Sequence, residues 1–350
     1  MFNRFFVNVL SVLSCVFTGT AIAESPLGSE RTFAAVDTLN VGDEQSADAR
    51  ECLAGLAWQA GKFQVVCEDP KDVRYDVLVR FPSPIDSGSA VNDRVALEWF
   101  LARDGQGKPL KAPAVVVVHE SGSSMVVGRL VASGLCVNHV HAFMIQLPYY
   151  GERREGGKDS DPADLVRTMK QAVADVRRAR DAVAVLPFVD TQHIALQGTS
   201  LGGFVSSTAG GLDHGYNSVH LLLAGGNLFE LIQHGEKDAA KVRERLAKAG
   251  YENEKLRELL LPIEPTRIAH RLDPRRTWLY SGKTDNVVPM ENALALAKAA
   301  GLEPSHHVIM NADHYSGVVL LPQVLRDIRD HMKATAAADA EQEAATAEKK

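Results

Sequence analysis

Ser200 stands at the centre of the pentapeptide GTSLG at residues 198–202, a Gly-x-Ser-x-Gly pattern. Residues 193–196 ahead of it predict a short buried strand, and residues 204–209 behind it predict a helix. A strand that turns sharply into a helix strains its corner residue, and glycines on both sides avoid collisions there. The serine hydroxyl is then lifted clear of the sheet, beside the positive end of the helix. This pattern predicts a nucleophilic serine.

Ser200 needs two partners before its hydroxyl can attack a carbonyl. A base must lie within hydrogen-bond reach, and a carboxylate must orient that base. In parallel sheets ligands bind beyond the carboxyl ends of the strands, so partners are expected directly after predicted strands. Asp285 follows the strand predicted over residues 278–281, and His314 follows the one predicted over residues 307–310. The sequence therefore predicts a triad of Ser200, His314 and Asp285.

Two alternatives concern the acid. Asp313 adjoins His314, but sequence neighbours on a loop rarely face each other, so Asp285 is preferred. Asp285 has a second interpretation, as a turn residue ahead of the helix near Asn292. The histidines interpreted as structural are His119, His141, His220 and His270.

The composition is that of an ordinary globular protein. The chain has 350 residues, of which 45% are hydrophobic and 23% charged, enough for one large core. Its net charge of −6 argues against nucleic-acid binding, and no basic run outside the N-terminus suggests otherwise.

The N-terminal segment 1–23 differs from the rest of the chain. It has a positive start, an apolar run over residues 5–16 and a small-x-small ending, which predict a secretory signal peptide cleaved after Ala23. The apolar run is short for a membrane span. The alternative is a lipoprotein anchored at Cys15, whose surroundings fit that pattern poorly. We therefore expect an exported protein, periplasmic or secreted.

Cleavage after Ala23 would leave three cysteines. In an oxidising compartment, Cys52 and Cys67 are predicted to close a small disulfide loop, with two unpaired thiols as the alternative. Cys136 precedes a predicted strand and is interpreted as a buried free thiol. No Cys/His cluster has the spacing of a zinc site, so no metal is expected.

Residues 114–118 form a nearly continuous β-branched run, typical of a central parallel strand. Ahead of it, residues 24–72 are interpreted as a loose lead-in with a short helix over 49–61. Strands over 73–81 and 95–102 are predicted to pair antiparallel at the sheet edge. After it, strands and helices alternate, which indicates an α/β fold with a doubly wound, mostly parallel sheet. Further strands are predicted over residues 140–147, 193–196, 219–224, 278–281 and 307–310, and helices over 125–133, 204–209, 292–300 and 320–332.

A long helix is predicted to begin at Asp161, its N-cap, with Pro162 at the first helical position. Apolar residues spaced by three and four from Leu165 to Leu186 define one buried face. Its basic residues are interpreted as a solvated face; they are Arg167, Lys170, Arg177, Arg178 and Arg180.

Two segments fall outside this alternation. Residues 225–275 make an excursion between two strands that is longer than an ordinary connection. Helical patterns over 242–249 and 254–261 suggest a small helical cap. The Ala/Glu-rich tail over 334–350 either extends the last helix or frays, and no function is assigned to it.

These motifs together resemble the α/β-hydrolase superfamily, especially its esterase-like, dienelactone-hydrolase-like branch. The resemblance covers a domain over residues 73–333 and includes GTSLGG at 198–203, Asp285 and His314 in the chain order of that fold. It implies Ser200 as nucleophile, His314 as base and Asp285 as its orienting acid. It implies no metal and no organic cofactor.

The resemblance also implies an oxyanion hole. The backbone N–H of Leu201 is one expected donor, and the second should come from Ser121 or Glu120, after the 114–118 strand. Related hydrolases often have His-Gly there, whereas this chain has His-Glu. Dienelactone-hydrolase-like members place a carboxylate near the nucleophile. Glu120 is therefore expected either to point to solvent, the preferred interpretation, or to tune Ser200.

Other candidate pocket residues follow the strands that end at this face of the sheet. For Glu152 and Arg153, an internal ion pair is preferred over a substrate contact. The candidate pocket residues are Glu120, Tyr149, Tyr150, Asn227 and Phe229.

The function expected from the sequence is that of an exported serine hydrolase, a carboxylesterase that forms an acyl-enzyme on Ser200. The substrate would be a small-molecule or carbohydrate-linked ester. One alternative is a small peptidase or amidase; a large oligopeptidase is disfavoured because only residues 24–72 precede the hydrolase domain, too few for a propeller. The other alternative is a non-catalytic binding protein of the same fold. It is disfavoured because such proteins usually lack a triad residue.

Overall fold

The β-branched run predicted as a central strand lies in the interior of a large sheet. The computed structural model describes Leu27, residues 31–155 and residues 164–347. The predicted signal peptide over residues 1–23, Cys15 within it, and the helix start predicted at Asp161 and Pro162 lie outside the described residues. The strands are β1 Thr32–Val36, β2 Lys62–Glu68, β3 Val77–Pro82, β4 Arg94–Phe100, β5 Ala112–Val118, β6 His141–Gln146, β7 Val189–Thr199, β8 Val219–Leu222, β9 Thr277–Gly282 and β10 His307–Met310.

The helices cover both faces of this sheet. The α-helices are α1 Ala47–Leu56, α2 Val126–Val137, α3 Leu165–Ala184, α4 Leu201–Gly210, α5 Leu228–His234, α6 Asp238–Lys248, α7 Asn253–Leu260, α8 Met290–Ala299 and α9 Leu321–Ala347. Short 3₁₀ turns occupy Gly151–Arg153, Leu261–Ile263, Pro265–Arg267, Ala269–Arg271, Pro304–His306 and Ser316–Leu320. The tail therefore continues the last helix as far as Ala347. None of the helices in the described residues is long and apolar enough to cross a membrane.

The strands pair in the order β1-β2-β3-β4-β6-β5-β7-β8-β9-β10. The pairings from β1 to β6 along this order are antiparallel, and those from β6 to β10 are parallel. β5 is buried between β6 and β7, with Val118 in register with Gly198. β10, by contrast, pairs only with β9 among the strands of the described residues. The predicted doubly wound α/β fold is confirmed.

The N-terminal part of the sheet differs from the prediction. β3 and β4 do pair antiparallel, but β1 and β2 extend the sheet beyond them, so the pair is not at the edge. The lead-in interpretation of residues 24–72 was wrong for β1 and β2. β2 buries alternate side chains, Phe63, Val65 and Cys67. This short alternation was hidden among polar residues that face solvent.

The predicted disulfide between Cys52 and Cys67 is not formed in the structure, where both are buried free thiols. Cys52 lies on α1 near Arg267, whereas Cys67 lies on β2 near Arg31, so the two thiols have different neighbours. Burial raises the pKa of Cys67 to about 12, which keeps it protonated. Cys136 is also a free thiol, half-buried rather than buried.

The basic face of α3 is partly buried, contrary to the prediction. Arg177 is paired with Asp181 at 3.0 Å and with Asp213 at 2.7 Å. Arg178 forms a buried ion pair with Asp37, the residue that follows β1. The helical pattern identified the apolar face correctly, but the opposite face is covered in part by the N-terminal segment, which supplies Asp37 to Arg178 and the Thr38 hydroxyl to Arg177. The carboxylates bound by Arg177 come from α3 itself and from the segment after α4.

The excursion between β8 and β9 contains α5 as well as the two predicted helices, α6 and α7. These helices pack around their own apolar cluster, which includes Leu231, Leu246 and Leu256. Phe204 of α4 and Val287 beyond β9 belong to the same cluster. The excursion is thus packed against two segments that flank the site; we call residues 225–275 the cap.

Buried neutral histidines predict an acid-sensitive fold. Burial lowers the pKa of His119 from 6.5 to about 4 and that of His220 from 6.5 to about 3. As pH falls below 6.5 the unfolded chain takes up these protons first, so stability is full above pH 6.5 and is lost toward pH 4. The loss at pH 5 should be about 2 kcal/mol for each histidine.

Urea unfolding of wild type and His220→Asn at pH 7 and pH 5 tests this expectation. The difference in unfolding free energy between the two pH values should shrink by about 2 kcal/mol in the variant. His234→Gln, at an exposed histidine, is the control and should leave the difference unchanged. An equal pH dependence in wild type and His220→Asn would contradict the prediction.

Candidate active site

Ser200 occupies the sharp turn between β7 and α4. Its φ of 53° and ψ of −115° are strained for a residue with a side chain. A Cβ on Gly198 would lie 2.2 Å from the Gly202 carbonyl oxygen, and one on Gly202 would lie 2.2 Å from the Val118 carbonyl oxygen. The turn therefore requires glycine at both positions, as the pattern predicts. Ser200 is only 8% exposed.

The structure brings the three predicted triad residues together. Ser200 Oγ lies 3.0 Å from His314 Nε2, and His314 Nδ1 lies 2.7 Å from Asp285 Oδ2. Because a carboxylate only accepts hydrogen bonds, Nδ1 carries the proton and Nε2 is left to accept the Ser200 proton. This arrangement makes Ser200 a candidate nucleophile with a base already oriented.

Asp285 also serves its loop, so the two interpretations of this residue are compatible. Its Oδ1 accepts hydrogen bonds from the backbone N–H groups of Val287 and Val288, at 2.8 and 2.9 Å. These bonds fix the carboxylate while Oδ2 faces His314. Its side chain is 1% exposed. The carboxylate is thus held in one orientation by three donors.

The Asp313 carboxylate makes no hydrogen bond to the imidazole of His314 among the described residues. Its Oδ1 accepts from the backbone N–H groups of Tyr315 and Ser316, at 2.9 and 2.7 Å. Hydrogen bonds from Ser316 lower the pKa of Asp313. Asp313 therefore shapes the turn that carries the base, while Asp285 contacts the base itself.

The loop after β5 lies directly against the nucleophile turn. Gly202 packs on the carbonyl groups of Val118 and His119. Among the hydrogen bonds of the described residues, neither the N–H of Leu201 nor that of Ser121 donates to a protein acceptor. An N–H in the first turn of a helix has no partner within that helix. Both predicted oxyanion donors are therefore free to bind a ligand oxygen.

Glu120 neither points freely to solvent nor contacts Ser200 through its carboxylate. Its two oxygens accept the backbone N–H groups of Val127 and Gly128, at 3.0 and 2.9 Å. Both sequence-based interpretations of Glu120 are thus replaced by a third, because the carboxylate caps the start of α2. The sequence did not show that the loop folds so that the Glu120 carboxylate can bind the N-terminus of α2.

The loop after β6 is held by internal contacts. The Tyr150 ring packs on the His119 ring at 4.5 Å, and the N–H of Tyr149 donates to Asn92. The predicted Glu152–Arg153 pair is not formed. Instead, buried Arg153 pairs with Asp175 at 2.7 Å, and Glu152 pairs with Arg80 at 3.1 Å and with Lys71.

The two candidate pocket residues of the cap have structural contacts. Asn227 is the N-cap of α5, with a left-handed φ of 54°, and its N–H donates to Glu264. The Phe229 ring lies 3.9 Å from the Arg257 guanidinium. These contacts place both residues in the frame of the cap, and no contact joins either one to the triad.

The cap contacts both loops that carry the acid and the base. The Tyr315 hydroxyl donates to Asp238 at 2.9 Å, and its ring meets His314 edge-on at 5.6 Å. The backbone N–H of Glu236 donates to the carbonyl of Asn286, next to the acid, at 2.7 Å. The sequence did not predict a role for Glu236, Asp238 or Tyr315. Only the position of the tyrosine directly after His314 could have indicated one of them.

Comparisons with known proteins bear on the fold and the class of protein. A sequence model of the prolyl oligopeptidase family matches residues 166–335, a little under half of the chain, and the matched span contains all three triad residues. No curated protein sequence in the comparison matches the chain.

Solved structures match over most of the chain. The fold is similar to an acetyl xylan esterase from Paenibacillus sp. R4, with a TM-score of 0.59, 16% identity and coverage of 84% of this chain and 96% of that one. Acetyl Xylan Esterase 1 from Thermoanaerobacterium sp. JW/SL YS485 matches with a TM-score of 0.53 and 13% identity, over 83% of this chain and 96% of that one. A puromycin-hydrolyzing peptidase from Mycobacterium tuberculosis matches with a TM-score of 0.53 and 14% identity, over 79% of this chain and 46% of that one. At these identities the similarity establishes the fold.

The hydrogen-bonded chain from Ser200 to Asp285 predicts strong and non-additive losses on substitution. Ser200→Ala or His314→Ala should lower the rate of p-nitrophenyl acetate hydrolysis by about 10³-fold or more. The double variant should be no worse than either single one, because the residues act as a unit.

Asp313→Asn is the matched control for Asp285→Asn. Asp285→Asn should lose about 10²–10⁴-fold in kcat, since the base loses its orienting carboxylate, whereas Asp313→Asn should stay within about threefold. The reverse order of the two losses would identify Asp313 as the functional acid.

Proposed function

We propose that this chain, a serine hydrolase of the α/β-hydrolase superfamily, cleaves carboxylic esters through an acyl-enzyme on Ser200. The observation that carries the proposal is the continuous hydrogen-bonded chain from Ser200 Oγ through the imidazole of His314 to the carboxylate of Asp285. It lies at a nucleophile turn whose neighbouring N–H groups, those of Leu201 and Ser121, are free to bind an oxyanion.

The geometry supports a two-step reaction. Ser200 Oγ attacks the ester carbonyl carbon while its proton passes to His314 Nε2, and the carbonyl oxygen becomes an oxyanion held by the N–H groups of Leu201 and Ser121. The tetrahedral intermediate expels the alcohol, which takes the proton from His314. A water molecule then gives a proton to His314, attacks the acyl carbon and releases the acid, and Ser200 recovers its proton.

The class of substrate is the finer part of the proposal. Two structural neighbours are named as acetyl xylan esterases, which supports small-molecule or carbohydrate-linked esters as substrates. The matched prolyl oligopeptidase family and the puromycin-hydrolyzing neighbour favour a peptidase or amidase as the second candidate. Esters are preferred because the two acetyl xylan esterases are matched over 84% and 83% of this chain and 96% of their own length, whereas the puromycin-hydrolyzing peptidase is matched over 46% of its own length.

Export is proposed on the sequence of residues 1–23. The charged start, the apolar run and the cleavage pattern at Ala23 support a periplasmic or secreted protein. Lipid attachment at Cys15 is the alternative.

A fluorophosphonate probe tests the nucleophile directly. Wild-type protein should be labelled on Ser200, and labelling should vanish in Ser200→Ala while the far-ultraviolet circular dichroism spectrum is unchanged. A folded wild type that resists labelling and cleaves neither esters nor amides would instead support the non-catalytic binding protein.

Matched ester and amide substrates test the substrate class. For p-nitrophenyl acetate and p-nitroacetanilide, which share one acyl group, kcat/KM should favour the ester, and an aminoacyl ester should likewise exceed its p-nitroanilide. Acetylated xylan oligosaccharides extend the ester series to carbohydrates. A higher kcat/KM for the aminoacyl p-nitroanilide than for p-nitrophenyl acetate would establish the peptidase alternative.

Protein expressed with its full N-terminus tests export. The N-terminus of the mature chain should be Glu24, as read by mass spectrometry of the purified extracellular or periplasmic fraction. A lipid-modified Cys15 at the N-terminus would contradict signal-peptide cleavage after Ala23.

A further inference from the structure

We propose that Glu120 is a positioning residue of the oxyanion hole. Its carboxylate binds the N-terminus of α2 and thereby holds the Ser121 N–H towards the reacting carbonyl. This inference rests on the proposed function, because it concerns the same site. It gives Glu120 a role that is neither acid–base catalysis nor tuning of Ser200.

The acceptors for the first N–H groups of α2 come from outside the helix. Met125, at the N-cap, has a left-handed φ of 48° and an apolar side chain that cannot accept a hydrogen bond. The first N–H groups of a helix need acceptors from elsewhere. Glu120 Oε1 and Oε2 accept the N–H groups of Val127 and Gly128, so one side chain closes the loop that joins β5 to α2.

The backbone of Glu120 is fixed by a second contact. Its carbonyl oxygen lies 2.6 Å from His119 Nδ1, and His119 Nε2 accepts the N–H of Leu147 at 3.2 Å. Nδ1 therefore carries the proton and donates to the Glu120 carbonyl. Burial, which lowers the pKa of His119 to about 4, keeps this ring neutral at neutral pH.

The direction of the Ser121 N–H follows from these two contacts. In a planar trans peptide, the C=O and the following N–H point to opposite sides. Because the Glu120 carbonyl points to the His119 ring, the Ser121 N–H points away from that ring, and it has no protein acceptor among the described residues. The hydrogen bonds of the Glu120 carboxylate to α2 and of the Glu120 carbonyl to the His119 ring together restrain rotation of this peptide.

The far end of the loop is also held. Arg129 donates to the Ser124 carbonyl at 2.6 Å and pairs with buried Glu98. The near end, next to Ser121, is restrained by the carboxylate and the carbonyl of Glu120, and of these two only the carboxylate can be removed by substitution. Both of its oxygens are occupied by N–H donors, which argues against a role as a proton acceptor for Ser200.

Glu264, in the cap formed by residues 225–275, provides a control residue for Glu120. Glu264 also binds the start of a helix: it accepts the N–H groups of Asn227 and Leu228, the N-cap and first residue of α5, at 3.0 and 2.7 Å. Its Oε1 accepts two further bonds, from the N–H and the hydroxyl of Thr266. Removing either carboxylate removes a helix cap, which costs about 1 kcal/mol. Only Glu120 is adjacent to a proposed oxyanion donor.

The experiment compares Glu120→Ala, Glu120→Gln and Glu264→Gln in the full chain. With p-nitrophenyl acetate, kcat should fall about 10–100-fold in Glu120→Ala while KM changes less than about twofold. This loss is smaller than the roughly 10²–10³-fold effect of removing an oxyanion donor, because the Ser121 N–H is misaligned and not removed. Glu120→Gln keeps one acceptor oxygen and should fall less. Glu264→Gln should lose at least as much thermal stability as Glu120→Gln, since Glu264 accepts four hydrogen bonds and Glu120 two through its carboxylate, but should keep kcat within about twofold of wild type.

The pH profile distinguishes positioning from direct action on the triad. The acid limb of kcat/KM should be the same in wild type and Glu120→Gln, because His314 and Asp285 are untouched. A displaced acid limb would overturn the inference, since it would mean that the Glu120 charge acts on the triad. An unchanged kcat in Glu120→Ala, or an equal loss in Glu264→Gln, would also overturn it.

Hydrogen exchange tests the loop separately from activity. The amides of residues 120–128 should exchange about tenfold faster or more in Glu120→Ala and as in wild type in Glu264→Gln. Unchanged exchange would overturn the inference even if activity fell. A wild type that neither reacts with the fluorophosphonate nor hydrolyses a substrate would overturn the proposed function, whereas an active wild type with unaffected Glu120 variants would overturn only the positioning role.

Discussion

The close approach of two backbones, at the start of α4 and the end of β5, is the constraint on which the site depends. At Gly202 even a methyl group would collide with the Val118 carbonyl, so this contact exists only with glycine. It places Ser200 and the loop of Ser121 on neighbouring strands in parallel register. This one contact thus brings the nucleophile beside the loop of the proposed second oxyanion donor, and the parallel pairing of β5 with β7 sets its geometry.

The acid and the base are positioned differently. Asp285 and His314 lie on loops beyond β9 and β10, and both loops also contact the cap. Glu236 bonds to the loop of the acid, and Asp238 bonds to Tyr315 beside the base. The cap therefore supports the catalytic loops as well as covering the elements around them. A change in the cap can reach the chemistry through these two contacts.

Much of this arrangement could be predicted because it follows from local rules. The Gly-x-Ser-x-Gly pattern and the position of Asp285 and His314 after strands depend on short stretches of sequence and on the geometry of parallel sheets. The helices α6 and α7 have clear helical periodicity, and the parallel strands from β5 to β9 include short, nearly continuous runs of buried residues. These features were found where the sequence placed them.

The contacts that were not predicted depend on which segments meet in space. β1 and β2 are short and surrounded by polar residues. β2 pairs with the edge of β3 that β4 leaves free, and β1 then pairs with β2. The periodicity of α3 could not show that the N-terminal segment would bury Arg178 against Asp37. The side chain of Glu120 reaches α2 only because the loop turns back on itself. Pairing and capping of this kind require the path of the chain.

The position of β10 at the edge of the sheet has a consequence for how the protein fails. This four-residue strand leads to the base but is supported by a single neighbour, β9, among the described strands. Opening such an edge costs less than unfolding the interior around β5. Loss of activity on heating is then a local event that precedes collapse of the sheet. Strengthening the core would prolong the life of the fold without prolonging the life of the enzyme.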